Sequence, residues 1–542
     1  MRYRPYIPLL FLLAFALAGV GCDADITGTP FDNQPPNTDL SVRDTSLVDN
    51  LEGGIRLSST VLVAWTGTDP DGFVKAFEVR FFDRGEVLGP EERWQYTVRN
   101  DSLMLLPIPR GDRAADVVVE VRAIDNEDLT DPTPARTIFP IQNAPPTITF
   151  SPFELPPDTT FGVFSIAWRA DDPEGLENLA RIDVSFNDST TFVGLPPDVD
   201  LATFVSVETP GTGGPDVVEA MVFTGRAFQR SELRVPGLRL DAENTIYIRA
   251  VDQTDTTSVL QRFTWHVKRQ RGEVLYVNDF RKASFPVVQA YHLSVLRDYL
   301  PAGTGVDVWD VSQPFVSGSA GNTPRSNALP PSADPTLRQL LARYRYIYWV
   351  STNATNSIQG NNLPFAAGAM DLFFDAGGKM MVHTPISLPS DPEDNLGNAA
   401  ILLLPLTDLI TFPDTLRPSL RMPTGFAVTP VGTLPGVTEP LPALEAAAFV
   451  INTLPYIAGG TNTIPLYEAE YNYITRVGGR QGPWPGSATV ASLSTDRRVG
   501  LFALPLVNEQ TGAALFTGAD GDGDAARRTV WLMLESLGFP KR

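Results

Sequence analysis

The stretch Asn33-Gln34-Pro35-Pro36-Asn37-Thr38 returns later as Asn143-Ala144-Pro145-Pro146-Thr147-Ile148, and this return divides the chain. Trp65 is followed by Asp69-Pro70-Asp71-Gly72, and at nearly the same offset Trp168 is followed by Asp172-Pro173-Glu174-Gly175. Val121-Arg122-Ala123-Ile124-Asp125 comes back as Ile248-Arg249-Ala250-Val251-Asp252. Matched landmarks in the same order make one module used twice. Between them the sequence alternates with period two, as half-buried strands do. Phe77, Val79 and Phe81 share one face while Ala76, Glu78 and Arg80 share the other. Val117, Val119 and Val121 repeat the pattern, as do Ile182, Val184 and Phe186, and Ile246, Ile248 and Ala250. Short alternating segments punctuated by Pro, Gly and Asp predict two β-sandwiches, over residues 34–142 and 143–269.

The tryptophan early in each unit and the Val/Ile-Arg-Ala-Ile/Val-Asp strand late in it resemble fibronectin type III or related immunoglobulin-like domains. A disulfide-bonded antibody-type domain is excluded, because the chain has one cysteine. The carboxylates of Asp69-Pro70-Asp71-Gly72 and its partner would suit a hard cation such as calcium. They equally suit a turn, with Pro fixing φ, Asp capping and Gly accepting unusual backbone angles. The turn is the reading taken, and no metal or other cofactor is assigned. Asp520-Gly521-Asp522-Gly523-Asp524 also begins like a calcium loop, but Ala525 and Trp531 stand where the EF-hand template needs Gly and Glu.

The chain has 542 residues, a length that suits about three domains. With 43% hydrophobic residues it cannot be disordered throughout. Its 63 Asp and Glu against 42 Lys and Arg give a net charge of −21, which argues against nucleic acid as a partner. One cysteine rules out an internal disulfide and a cysteine-rich zinc site.

That cysteine is Cys22. It follows Arg2, Arg4 and a mostly apolar run from Ile7 to Val20, which is shorter than the roughly 20 residues of a membrane-spanning helix. This is the pattern of an export signal. Leu17-Ala18-Gly19-Val20-Gly21-Cys22 resembles a bacterial lipoprotein signal. The resemblance implies cleavage after residue 21, acylation of Cys22, and anchoring to a membrane by several chains. The competing reading, a buried free thiol, does not fit a cysteine placed directly behind an apolar signal. Residues 22–33 then form a tether, and the localisation expected is the cell envelope, in particular the outer membrane.

Residues 270–542 change pattern, alternating strands with helices. Val274-Leu275-Tyr276-Val277, Val306-Asp307-Val308-Trp309, Tyr346-Ile347-Tyr348-Trp349-Val350, Met380-Met381-Val382 and Val499 to Leu504 read as strands. Helices are expected over Pro286–Leu300, Leu337–Arg343 and Ala366–Asp375, and after a cap at Asp524 with Gly538 and Pro540 ending it. The fold class expected is therefore multidomain: two all-β sandwiches followed by an α/β domain with an open, mostly parallel sheet and a looped insertion near 405–465.

A strand ending Asn278-Asp279, a strand ending Ser351, and a helix followed by Gly377-Gly378-Lys379 and Met380-Met381-Val382-His383 resemble the class I glutamine-amidotransferase-like flavodoxin fold. That family places a catalytic Cys after such a strand and a His-x-Glu pair near the C-terminus. Here His383-Thr384-Pro385 occupies the turn and no histidine follows, so the resemblance implies a fold without its hydrolytic residues. Dinucleotide, P-loop and nucleophile-elbow motifs are also absent from the sequence. Of His266, His292 and His383, only His383 lies at the carboxyl end of an expected parallel strand, where open α/β sheets bind ligands. Long loops at 310–335, 351–362 and 384–396 would emerge on that edge. Asn278, Asp279, Asp310, Ser351 and His383 are accordingly the candidate ligand-binding edge, with no catalytic residue assigned.

The first functional reading is a lipid-anchored envelope protein with a binding or structural role. Its sandwiches act as spacers, and its α/β domain recognises a glycan, a peptide or an envelope protein. The alternatives are an extracellular hydrolase with an Asp/His site in the α/β domain, and an architectural subunit of an envelope complex.

Overall fold

The computed structural model describes residues 32–42, 56–109, 111–211, 213–227, 229–280, 282–312, 333–352, 362–386, 402–410, 418–451, 456–458, 461–475, 478–486 and 488–542. Cys22, the signal segment and most of the tether lie outside these residues, as does most of each long loop behind the candidate edge. The chain divides into two compact units, Met1–Ala144 and Pro145–Arg542.

The first unit contains β1 (Asn37–Val42), β2 (Leu57–Ser58), β3 (Thr60–Thr68), β4 (Val74–Asp83), β5 (Gln95–Thr97), β6 (Asp101–Leu105), β7 (Ala114–Asp125) and β8 (Ala135–Gln142). They form a sheet β1-β3-β6 and a sheet β2-β8-β7-β4-β5. Val61, Val63 and Trp65 from one sheet meet Val117, Val119 and Val121 from the other in a shared core. The Trp65 indole N–H donates to Arg99 O at 2.9 Å, so its burial leaves no donor unpaired. The expected polar face of β4 is not open to water. Arg80 is buried, donates to Glu120 at 2.9 Å, and lies 4.2 Å from the Trp94 ring. Arg122 lies 4.4 Å from the same ring. The guanidinium stems cover apolar surface while their heads find carboxylates, which period-two reading cannot foresee.

The second unit begins with the second sandwich. Its strands are β9 (Thr147–Phe150), β10 (Thr159–Phe161), β11 (Val163–Asp171), β12 (Leu179–Phe186), β13 (Val193–Leu195), β14 (Leu201–Ser206), β15 (Val217–Thr224), β16 (Gln229–Arg239), β17 (Ala242–Asp252) and β18 (Gln261–Lys268). The sheets are β10-β18-β17-β12-β13 and β16-β15-β14-β11-β9. Trp168 again donates its indole N–H, here to Val199 O at 2.8 Å, and packs with Phe164, Phe186, Phe204 and Trp265.

The repeated landmarks have local causes. Asp125 Oδ1 accepts the backbone N–H of Glu127 and Leu129, and Asp252 Oδ1 accepts those of Thr254 and Thr256, so each Asp caps the turn after its strand. The Asp-Pro-Asp/Glu-Gly stretches are turns as well: Glu174 N–H donates to Asp172 Oδ1 at 2.9 Å. Their glycines answer different needs. Gly175 has φ +110°, whereas at Gly72 an added Cβ would run into Asn126 Oδ1 and Asp69 Oδ2. Gly72→Ala is expected to cost about 0.5–1.5 kcal/mol, because the Asn126 Oδ1 that must give way also accepts the Phe73 N–H at 2.8 Å, read as a shift in the urea midpoint of the first unit. A loss below about 0.5 kcal/mol would refute the close-packing account.

The C-terminal segment contains β19 (Val274–Asp279), α1 (Phe285–Tyr299), β20 (Val306–Asp310), α2 (Ala333–Leu341), β21 (Tyr346–Ser351), α3 (Leu363–Ala367), α4 (Asp371–Asp375) and β22 (Lys379–His383). Next come β23 (Asp408–Leu409), β24 (Pro418–Met422), β25 (Ala427–Pro430), β26 (Leu444–Ala446), β27 (Val450–Ile451), β28 (Tyr456–Ile457), β29 (Thr463–Ala469), β30 (Asn472–Thr475) and β31 (Gln481–Pro483). β32 (Thr489–Ser494), β33 (Val499–Phe502), β34 (Phe516–Gly518) and α5 (Ala525–Leu537) complete it.

Strands β20-β19-β21-β22-β33 pair in parallel. The same sheet then continues antiparallel through β32, β29, β25, β26 and β34. The expectation of a mostly parallel sheet is thereby corrected to a mixed one. The looped insertion near 405–465 is corrected too: its described residues include strands β23 to β28, which extend this sheet and build a second, β27-β24-β30-β31. The helix expected over 366–375 is two short ones, broken at Gly368. Asp524 does precede α5 but makes no side-chain cap bond, while Gly538 closes that helix with φ +86°. Val530, Met533, Leu534 and Leu537 form its buried face as the spacing required.

Candidate functional site

The candidate edge is built by the ends of four strands, β19 to β22, and alternation along each strand sends their side chains to opposite faces. Register aligns Asn278 with Asp310 and Val350, and Val350 with His383, so Asn278, Asp310 and His383 share one face. Asp279 aligns with Ser351 on the other. The structure therefore brings together Asn278 and Asp310, whose Nδ2 and Oδ1 lie 3.1 Å apart, but separates both acids from His383. Asp279 is across the sheet, and Asp310 is three strands away, roughly 14 Å at ordinary strand spacing. An Asp/His dyad is not formed.

These residues also fail to make an exposed surface. Asn278, Asp279, Ser351 and His383 are buried. Asp279 accepts hydrogen bonds from Trp349 Nε1 at 3.2 Å, from Asn362 N at 2.9 Å and from Asn362 Nδ2 at 2.9 Å. Asn362 also donates to Val311 O at 2.6 Å. Asp310 Oδ1 accepts from Ser312 N at 2.9 Å. Asn278, Asp279 and Asp310 thus bond to residues that flank the neighbouring strand ends: Phe280 N–H donates to Asn278 Oδ1 at 3.4 Å, and Asn362 and Ser312 serve the two acids.

His383 stands apart. Its ring lies 4.8 Å from His292, 4.9 Å from Tyr348 and 6.1 Å from Phe502, centroid to centroid. Neither ring nitrogen has a hydrogen-bond partner among the described residues. Burial, with the neighbouring His292 adding to it, holds the His383 imidazole well below its ordinary pKa, and burial takes His292 down to about 3. His292 Nδ1 sits 3.0 Å from the Tyr348 hydroxyl. Both rings are neutral at physiological pH, packed as aromatic bodies. A neutral histidine with no orienting acceptor lacks the second link that general bases rely on.

No group of three or more His, Cys, Asp or Glu that could hold a metal occurs among the described residues. Asp172 is raised to about 6, chiefly by burial, and its Oδ2 has no partner among them.

Sequence reading missed the polar joint between the second sandwich and the C-terminal segment. Arg343, just beyond α2, donates through Nη2 to Glu208 Oε1 at 2.8 Å, through Nη1 to Ser206 O at 2.9 Å, and through Nε to Gln270 Oε1 at 3.0 Å. Glu208 Oε1 also accepts from Ser206 Oγ at 2.8 Å. The Glu208 side chain is fully buried. Around this pair, Phe161, Val163, Val205 and Phe223 of the sandwich belong to the same core as the C-terminal sheet. The basic run Lys268-Arg269-Gln270-Arg271 was its sole visible trace in the sequence.

No family model matches the chain, and no curated protein matches it. Among solved structures it is similar to the fibronectin(III)-like modules of Clostridium thermocellum CbhA, at 10% identity and a TM-score of 0.15, over 43% of this chain and 95% of that one. A chicken interferon gamma receptor alpha chain is similar at 10% identity and a TM-score of 0.21, over 43% and 98%. The chicken CNTN1 FN1-FN3 domains are similar at 13% identity and a TM-score of 0.16, over 43% and 98%.

Proposed function

We propose that this chain is a lipid-anchored cell-envelope protein with a non-catalytic binding or structural role, held at the outer membrane through acylated Cys22. The sandwiches act as spacers, and residues 270–542 form a flavodoxin-like, amidotransferase-like domain that recognises a glycan, a peptide or an envelope protein. The observation that carries this reading is the joint. A domain that is only tethered needs no shared core with its neighbour, whereas one that must be presented in a fixed orientation does, and Arg343 and Glu208 sit within such a core. The separation of Asp279 and Asp310 from His383 weighs against the hydrolase reading. Lipid anchoring is tested by Cys22→Ala, which should move the protein from the membrane to the soluble fraction of expressing cells. Retention on the membrane would defeat the anchor. Crosslinking in intact cells, followed by identification of what is captured, tests recognition.

A further inference from the structure

The repeat allows one module to be compared with the other residue by residue. Trp65 N–H donates to Asn100 O, and Trp168 N–H to Asp200 O, at 2.9 and 2.8 Å. With that register fixed, the pairs Thr60–Leu105, Leu62–Leu103 and Ala64–Asp101 correspond to Val163–Val205, Ser165–Thr203 and Ala167–Leu201. All point away from the sandwich core, onto the outer face of β3 and β6 or of β11 and β14.

In the second module this face is covered. Helix α2 lies on β11 and β14, and its Thr336 hydroxyl is 2.6 Å from that of Ser165. All six residues of the face are buried. In the first module no described residue covers it: Leu62 is 37% exposed, Leu103 67% and Leu105 45%. The covered face thus carries Ser165 and Thr203 where the uncovered one carries two leucines. Exposure to water alone would place hydroxyls outside and leucines inside.

We propose that the outer face of β3 and β6 in the first module is a docking site for a short amphipathic α-helix of another protein, with leucine-sized residues one turn apart and basic residues beside them. This goes beyond the reading above, in which the first sandwich is only a spacer. A helix fits because α2 occupies the corresponding face, setting Leu337 and Leu340 into the core there. Its charge follows from the borders. Arg343, two residues past α2, pairs with Glu208 on the second sandwich, and the first module's face is bordered by the exposed Asp39 on β1, in a chain of net charge −21. Negative charge at the rim selects a basic partner and speeds its encounter. A second copy of a chain with net charge −21 is repelled instead.

The probe for the test is a fluorescein-labelled, hydrocarbon-stapled peptide with the sequence of residues 333–345, titrated with the full mature chain carrying Cys22→Ser. Saturable one-to-one binding is expected. Leu103→Asp should weaken it at least tenfold, added salt should weaken it too, and Leu176→Asp, at an exposed leucine of the second module, should leave it unchanged. Absence of saturable binding, or equal binding to the Leu103→Asp chain, overturns the proposal. So does a concentration-dependent dimer abolished by Leu103→Asp, which makes a second copy the occupant. Hydrogen-exchange protection of residues 43–55 that Leu103→Asp removes would assign the face to that segment, again overturning it.

Discussion

Replacing Arg343 by alanine is expected to cost about 3–5 kcal/mol in the unfolding free energy of the unit spanning Pro145–Arg542. The loss arises less from a missing attraction than from what is left behind. Glu208 would remain fully buried with its carboxylate facing no cation, and the Ser206 carbonyl and the Gln270 side chain would each lose a donor. Removing the stranded charge should therefore recover much of the loss, so Arg343→Ala combined with Glu208→Gln is expected to be more stable than Arg343→Ala alone. Urea denaturation of the three chains decides the matter. A single-variant loss under about 1 kcal/mol would place the pair in the class of weak surface bridges. It would also remove the argument for a fixed joint.

The second large effect is expected at His383. Substitution by phenylalanine keeps the stacking on His292, Tyr348 and Phe502 while removing two buried nitrogens that bond to nothing described. Relief of that desolvation should stabilise the chain by about 1–3 kcal/mol at pH 8. The gain should widen in acid. The unfolded chain protonates histidine near pH 6.5, while burial keeps the folded His383 neutral far below that. Below about pH 6.5 the unfolded state therefore binds a proton that the folded state does not, and the parent chain loses about 1.4 kcal/mol per pH unit at this residue.

In the parent chain this loss is masked. Asp307 and Asp172, both raised to about 6 by burial, have the opposite sign: their folded forms take up protons first, adding stability as the pH falls from about 6 towards their unfolded values. His292, taken down to about 3, works with His383. Two histidines and two carboxyls thus offset one another between about pH 6 and 4. Removing one histidine should unbalance them, so that the His383→Phe chain becomes more stable as the pH is lowered across that window while the parent stays nearly level. Urea midpoints at pH 8, 6 and 4.5 measure the difference, and parallel pH dependence in the two chains would contradict the burial of a neutral His383.

The legible parts of this protein were those in which a residue's role depends on its close neighbours in sequence. Period-two alternation placed Val117, Val119 and Val121 in one core and Ile246, Ile248 and Ala250 in the other, because side-chain direction in a strand is fixed by position alone. Helix α5 was equally readable from its apolar spacing and Gly538. The candidate site was not. Placing Asn278, Asp279, Asp310, Ser351 and His383 at strand ends was sound, but the step from strand end to open surface needed knowledge of what packs above. Asn362, distant in sequence, takes up Asp279, and α1 lays His292 over His383.

Sequence alone determined the twofold β-module with its tryptophan anchors and Asp turns, the strong acidity, and the confinement of the one cysteine to position 22. These follow from local stereochemistry and counting. The tertiary structure decided which faces are closed. The two modules present the same outer strands, yet one face lies under α2 and no described residue covers the other, because the covering element comes from more than a hundred residues further along the chain. It likewise decided that the parallel sheet runs on into antiparallel strands, and that Arg343 finds Glu208, contacts whose physical cause is long-range packing that no local pattern encodes.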